Sequence, residues 1–155
     1  MKITNNQVFG AHNLLAGLKL GKFNNDNRVA IFKNVGELTV AVKAVQEKME
    51  ASRKELFKDL EDDAQKVGAL REEFSKEETT KERKEAIGKE ILTYEDYLNA
   101  EKDFNEIAIK YGNDEVEIQL ATVDFVDFVD GLVNSELEFT AAQLQVFSFM
   151  FNQIK

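Results

Sequence analysis

Apolar residues follow a heptad-like pattern that begins near Arg28. They recur at alternating intervals of four and three residues, which places them along one side of a helix: Ile31, Val35, Leu38, Val42, Val45 and Met49. Leu56 resumes the pattern, and a change of register at Leu60 precedes further apolar positions up to Phe74. The pattern predicts a long helix, about 70 Å in length if it is unbroken over residues 28–74.

A second apolar series follows a densely charged segment. Its first members repeat the spacing of four and three: Ile87, Ile91, Tyr94 and Leu98. Apolar positions continue to Tyr111, and the Gly112-Asn113 pair that follows suits a helix end. Two such helices joined by a charged turn predict a long antiparallel helical hairpin over residues 28–111.

The chain on either side of the hairpin predicts shorter elements. Thr4 and Gln7 have the spacing of a capping box, so a short N-terminal helix is expected to begin at Thr4 and end near Leu18. Residues 115–120 alternate between polar and apolar side chains, which predicts a half-buried strand. Residues 136–139 alternate in the same way and are the predicted partner of that strand. Thr140 then opens the last helix, again with a glutamine three residues later.

The last helix carries large apolar side chains around nearly its whole circumference. Its aromatic end consists of Phe147, Phe149, Met150 and Phe151. At 3.6 residues per turn these side chains occupy several faces, so more than one side of the helix must be covered. Two alternatives are equally open: the helix lies at the centre of the fold, or it forms an oligomer interface. The four residues are therefore part of the predicted interaction surface.

Three acidic residues at three-residue steps, Asp124, Asp127 and Asp130, raise the question of a metal site. On a strand both faces would mix acids with apolar residues, whereas on a helix the acids form one stripe and the Val and Phe residues cover the remainder. A calcium loop needs acids at alternate positions and a terminal glutamate, which this spacing does not provide. We interpret the segment as a helix with a solvated acidic face, and we count this face in the candidate interaction surface.

Composition removes most catalytic and metal chemistry from consideration. The 155 residues contain no cysteine and a single histidine, His12, so thiolate zinc sites, cysteine nucleophiles and histidine clusters are excluded within one chain. The serines lie in no P-loop or nucleophile-elbow sequence. We therefore predict a protein that is not an enzyme and that uses no metal or cofactor.

The net charge of −9 is unevenly distributed. Residues 1–43 carry six basic side chains against two acidic ones, whereas residues 111–155 carry eight acidic side chains against Lys155 alone. Such opposite ends can dock within one chain or head to tail between chains. Overall acidity makes direct nucleic-acid binding an unfavoured function. No apolar run reaches the length of a membrane span, so we expect a cytoplasmic protein without membrane partners.

Several stretches resemble a set of small uncharacterised helical proteins of tailed bacteriophages. The resemblance is carried by the opening "MKITNNQV", the long segment "RVAIFKNVGELTVAVKAVQEKMEASRKEL" with Asn34 near its start, "DFNEIAIKYGNDEVEIQL" and the terminal "TAAQLQVFSFMF". It covers most of the chain. It implies a phage-encoded, helical, non-catalytic protein, located in the cytoplasm of a bacterial host or in the virion. It carries no functional residues over to this chain.

Taken together, these patterns predict a single domain over residues 1–155. Its fold class is mainly α: a long antiparallel hairpin with a short N-terminal helix and a small β-containing C-terminal part over residues 115–155. The predicted function is non-enzymatic protein–protein interaction, as a minor structural component or chaperone-like assembly factor. The expected partner is a second copy, giving a homo-oligomer, a phage structural protein or a host defence protein.

An alternative function belongs to a different class. Small acidic phage proteins suit inhibition of a bacterial anti-phage defence protein such as a CRISPR effector, because acidic faces can occupy a nucleic-acid channel by imitating phosphate. The surface expected to act in this way consists of Asp124, Asp127, Asp130, Glu136 and Glu138.

Overall fold

The computed structural model describes residues 1–135, 138–146 and 148–151. Their contacts divide the chain into two compact units. The first combines Met1–Glu47 with Tyr111–Lys155, and the second is Lys48–Lys110. We call them the terminal unit and the central unit. The prediction of one domain over residues 1–155 stays a prediction.

The mainly α prediction is confirmed, and the small β part is a two-stranded antiparallel sheet. The helices are α1 (Asn5–Ala16), α2 (Asn25–Leu56), α3 (Glu61–Ser75), α4 (Lys81–Ile91), α5 (Glu95–Asn113), α6 (Phe125–Asn134) and α7 (Ala141–Val146). The strands are β1 (Lys2–Thr4) and β2 (Glu115–Glu117). Short 3₁₀ turns occupy Leu20–Lys22 and Ser148–Met150.

The predicted strand partner was wrong. β2 pairs with β1, and Ile3 lies opposite Val116, whereas the predicted partner was the segment 136–139, of which residues 136 and 137 lie outside the described residues. A three-residue strand directly before a helix cap is too short to show alternation of polar and apolar residues, so the sequence did not indicate β1. The sheet is extended by Met1, whose terminal amine donates to the Ile118 carbonyl at 2.8 Å.

Both predicted capping boxes are present. The Thr4 hydroxyl accepts from the Gln7 amide at 3.3 Å, and the Gln7 side chain accepts from the Thr4 amide at 2.9 Å. Thr140 and Gln143 form the same reciprocal pair at the start of α7. Each box provides acceptors for two amides that a helix start leaves without intrahelical partners.

The long helix predicted over residues 28–74 is interrupted, which corrects the estimate of an unbroken rod. α2 ends at Leu56 and α3 begins at Glu61, with Leu60 donating its amide to the Phe57 carbonyl at 3.1 Å in the turn between them. The break coincides with the change of register at Leu60, because residues before and after it would otherwise present their apolar sides in different directions. The second predicted helix is interrupted likewise, since α4 ends at Ile91 and α5 begins at Glu95.

The only histidine has a structural role in the terminal unit. His12 Nε2 lies 3.1 Å from the Thr39 hydroxyl oxygen. That hydroxyl also donates to the Val35 carbonyl at 2.7 Å. The contact between the imidazole and the hydroxyl ties α1 to α2.

Two buried asparagines of α2 hold the segment that leads from β2 to α6. The Asn34 side chain donates to the Ala121 carbonyl at 2.8 Å and accepts from the Ala121 amide at 2.7 Å. Asn27 makes the same pair of bonds with the backbone of Asp124, each at 2.9 Å. Each side-chain amide thus bonds both the N–H and the C=O group of one residue, as a neighbouring β-strand would. We call this pair of interactions the asparagine clamp.

The spacing of the clamp follows from helix and strand geometry. Asn27 and Asn34 are seven residues apart, which is about 10.5 Å along a helix and returns to the same face. Ala121 and Asp124 are three residues apart, about 10 Å along an extended chain. These two lengths match, so an extended segment that runs antiparallel to α2 can bond one asparagine at each of its ends. Asn34 is 1% exposed, so its bonds have little competition from water.

Replacing Asn34 with alanine is expected to lower the free energy of unfolding by about 2 kcal/mol or more, because the backbone amide and carbonyl of Ala121 lose their partners in a part-buried site. Urea denaturation followed by circular dichroism measures the change. The matched control is Asn13→Ala, since Asn13 is an exposed residue of α1 whose side chain makes no hydrogen bond to another described residue. Equal stability of the two variants would contradict the clamp.

Candidate interaction site

The outer face of α2 carries apolar residues directly opposite its buried seam. Val29, Phe32, Gly36 and Val40 recur at intervals of three and four residues and form what we call the outer stripe. Phe32 is 75% exposed and Val40 is 67% exposed. Exposed apolar residues scattered singly are ordinary, whereas these recur on one face of the longest helix, which makes that face a candidate contact surface. Sequence reasoning missed this stripe, although its spacing is visible in the sequence, because the inner heptad seam dominated the pattern.

A groove of about 470 Å³ runs beside the outer stripe. Phe32, Gly36 and Val40 form one side of it, and Gln119 and Ala121 of the clamped segment form another. A methyl group added to Gly36 would meet no heavy atom within 4 Å. A glycine at an exposed helical position lowers helix stability by about 1 kcal/mol relative to alanine. Gly36 therefore leaves open space beside the outer stripe and makes α2 less stable than alanine would.

The helix predicted for the three aspartates is present, with Asp124 at its N-cap and Asp127 and Asp130 within α6, and the three side chains have separate environments. Asp124 is the N-cap, and its side chain accepts from the Asp127 amide at 3.0 Å. The Asp127 side chain is exposed and accepts from the Asn24 side chain. Asp130 is exposed one turn later. In the described part of the chain no group of three or more acidic, histidine or cysteine side chains could hold a metal ion.

α6 presents a mixed acidic and apolar outer face. Val126 and Val133 are 65% and 69% exposed, and Asp130 lies between them on the same face. The opposite face is fixed in the core by Phe128, which packs on Phe23 with ring centroids 5.4 Å apart. A methyl group at Gly131 would overlap the Phe23 ring, so this turn of α6 lies close against its neighbour.

Opposite charges in the terminal unit do not pair directly. All ion pairs among the described residues lie between residues 50 and 101, and none uses the six basic side chains of residues 1–43. Among the described residues Asp127 and Asp130 likewise have no basic partner within 4.0 Å. Near the outer stripe, Lys33 lines the groove together with Glu37, and the Arg28 guanidinium donates to the Asn25 side chain at 3.3 Å.

The predicted aromatic surface at the C-terminal end is largely in contact with the core. Met150 is 2% exposed, and its sulfur lies 3.3 Å from the Asn34 side-chain amide. Phe151 packs on Phe125 and Phe128 with ring centroids 5.0 and 5.2 Å apart. Phe149 is half-buried against the same core, and Phe147 lies outside the described residues. Met150 therefore lies at the centre of the fold, which is the first of the two alternatives given for this segment.

The central unit contains a network in which Arg71, Tyr97 and Glu101 are bonded to one another. Both guanidinium nitrogens of Arg71 donate to the Glu101 carboxylate, at 2.6 and 2.7 Å, and the Tyr97 hydroxyl donates to the same carboxylate at 2.8 Å. The Arg71 hydrogen bond lowers the pKa of Glu101. Burial, and then the bond to Glu101, raises the pKa of Tyr97. This network connects α3 to α5.

Comparisons with protein-family models, with curated proteins and with solved structures found no match to this chain. Within the described ranges, no helix has both the length and the apolar character that crossing a bilayer requires. The phage resemblance therefore stays a prediction, and the candidate site is defined by geometry alone.

The Arg71–Glu101 pair predicts a specific loss of stability in acid. A carboxyl group whose pKa is lowered by folding stabilises the fold above its ordinary pKa of about 4.3, and this contribution is lost as the pH falls through the folded value. Glu101→Gln is therefore expected to be less stable than the parent at pH 7, with a difference that shrinks at about pH 3. Chemical denaturation at both pH values measures it.

Glu106→Gln provides the control for this prediction. Glu106 is an exposed residue of the same helix and takes part in no ion pair. Its substitution should leave stability unchanged at both pH values. A Glu101→Gln difference that is the same at pH 7 and in acid would contradict the assigned role of the carboxylate.

Proposed function

We propose that this chain is a non-enzymatic assembly protein that associates with further copies of itself through the outer stripe of α2. The observation that supports the proposal is the 75% exposure of Phe32 in an apolar stripe bordered by an open groove. Burying such a stripe against an apolar surface is favourable by roughly 25 cal/mol per Å². Aromatic side chains are also the residues that most often dominate the energy of an interface.

The occupant we propose is the outer face of α6 from a second copy. That face offers two exposed valines, Val126 and Val133, with Asp127 and Asp130 beside them. The outer stripe offers apolar residues with basic neighbours such as Lys33. The two surfaces are complementary in charge and alike in apolar character, and among the described residues their charges form no ion pairs. Complementarity of this kind selects orientation and accelerates encounter.

The biological setting we propose is bacteriophage assembly, as a minor structural component or a chaperone-like factor. This part of the proposal rests on the sequence resemblance alone. A self-associating module with no catalytic constellation suits that setting, because assembly requires repeated contacts between identical chains. The proposed location is the host cytoplasm or the virion.

Replacing Phe32 and Val40 with serine is expected to weaken self-association at least about tenfold, since the apolar centre of the contact is removed. Both side chains are mostly exposed, so the fold should be retained. Light scattering behind size exclusion, over a range of protein concentrations, measures the association. The control is Leu92→Ser, because Leu92 is 66% exposed in the central unit and lies outside the proposed contact.

Charge exchange tests which surface the stripe meets. Lys33→Glu and Asp130→Lys should each weaken association, and the double variant should recover part of it, because the pair is restored with reversed polarity. High salt should reduce these effects. A parent chain that is monomeric at every concentration would overturn self-assembly, and a serine variant that associates like the parent would overturn the outer stripe as its contact surface.

A second candidate function is inhibition of a bacterial defence protein such as a CRISPR effector. The observation that favours it is the exposed pair Asp127 and Asp130, which have no basic partner within the described chain. Two carboxylates about one helical turn apart present negative charge toward solvent, as successive phosphates do. Glu138 is also exposed, whereas Glu136, which belongs to the same predicted surface, lies outside the described residues.

Charge reversal at Asp127 and Asp130 distinguishes inhibition from assembly. In a plasmid-interference assay with a CRISPR effector, the double lysine variant is expected to lose inhibition if the acidic face acts as a phosphate mimic. Glu85→Lys combined with Glu106→Lys is the control, since it makes the same charge change at exposed positions of the central unit. Inhibition that survives reversal at Asp127 and Asp130 would count against mimicry.

A further inference from the structure

The central unit contains a cavity of about 760 Å³ that lies entirely among its own residues. The end of α2, the turn after it, α3 and α5 all contribute to its wall. This volume lies within the range of pockets that bind small molecules, roughly 300–1,000 Å³. The cavity shares no residue with the proposed assembly surfaces of the terminal unit, so it requires a separate explanation.

Three aromatic side chains provide the apolar part of the cavity. Phe57 meets Tyr97 edge to face with ring centroids 5.6 Å apart, and it meets Phe104 in the same manner at 6.3 Å. All three are only partly buried. Aromatic rings left partly exposed in a concave site offer an apolar surface of the size and rigidity that a flat ligand requires.

The walls of the cavity are held by the network already described. Arg71 and Glu101 both line the cavity, and their bidentate bond joins α3 to α5. Because each charge is matched by the other, this pair fixes the shape of the site and contributes little net charge. A wall held in this way exists before a ligand arrives, which lowers the entropy cost of binding.

The uncompensated charge at the rim is mainly positive. Arg53 and Lys58 line the cavity and have no carboxylate of the described residues within 4.0 Å, whereas Lys54 is paired with Glu50 at 3.7 Å. Glu61 is the one unpaired carboxylate of the wall, and it belongs to the first turn of α3, where the helix dipole favours a negative charge. Two free cations beside an aromatic surface favour an anion that has an apolar body.

We propose that this cavity binds a small organic anion with a flat, aromatic body. The body would contact Phe57, Tyr97 and Phe104, and the anionic group would be held by Arg53 and Lys58. Cations at the rim of an apolar site bind an anionic group by charge-assisted hydrogen bonds while the apolar part leaves water.

The probe for this site is 1-anilinonaphthalene-8-sulfonate, whose fluorescence rises in apolar surroundings. N-phenyl-1-naphthylamine serves as its uncharged counterpart with the same ring system. The 155 residues contain no tryptophan, so the probe signal is free of energy transfer from indole. The variant is Arg53→Gln with Lys58→Gln, and the control is Lys81→Gln with Lys102→Gln, two exposed lysines outside the cavity that take part in no ion pair.

The proposal predicts saturable binding of one sulfonate probe per chain. The Arg53→Gln/Lys58→Gln variant should bind it at least about tenfold more weakly, and the lysine control should bind it like the parent. The uncharged counterpart should bind more weakly than the sulfonate and should respond equally to both variants. Absence of sulfonate binding, equal loss in both variants, or equal affinity for the charged and uncharged probes would overturn the proposal.

Discussion

The terminal unit depends on two asparagines that replace a β-strand. The segment between β2 and α6 is extended, and Val123 within it donates its amide to the Met150 carbonyl at 2.9 Å, whereas the backbone groups of Ala121 and Asp124 take their partners from side chains of α2. Asn27 and Asn34 supply them, each with one donor and one acceptor. Because the clamped segment leads directly into the α6 N-cap at Asp124, the clamp also sets where that helix begins.

The clamp gives α2 two different faces. Its inner face combines the apolar seam with the two asparagines, and Asn34 also contacts Met150, which brings the C-terminal turn into the same core. Its outer face keeps Phe32 and Val40 toward solvent, with the clamped segment forming one side of the groove. The groove therefore exists because the segment is held against the helix, and this connection links the fold of the terminal unit to its proposed use in assembly.

Much of this fold could be predicted from local pattern. The heptad seam located α2, the threonine–glutamine pairs located two helix starts, and the three-residue steps of Asp124, Asp127 and Asp130 indicated a helix with exposed acids. Asn27 and Asn34 lie on the same face of α2 as the seam. The clamp nevertheless could not be predicted, because tertiary packing decides which backbone groups the two asparagines bond. β1 was too short to show a period, and the change of register at Leu60 marked the place of the first helix break without showing that the helix ends there.

Amide hydrogen exchange resolved by NMR tests the clamp most directly. Ala121 and Asp124 donate their amides to buried asparagine side chains, whereas Thr122 between them is exposed and donates to no described group. The account predicts that the Ala121 and Asp124 amides exchange only with unfolding of the terminal unit, while the Thr122 amide exchanges much faster. Rapid exchange at all three positions, as in an unattached loop, would contradict it.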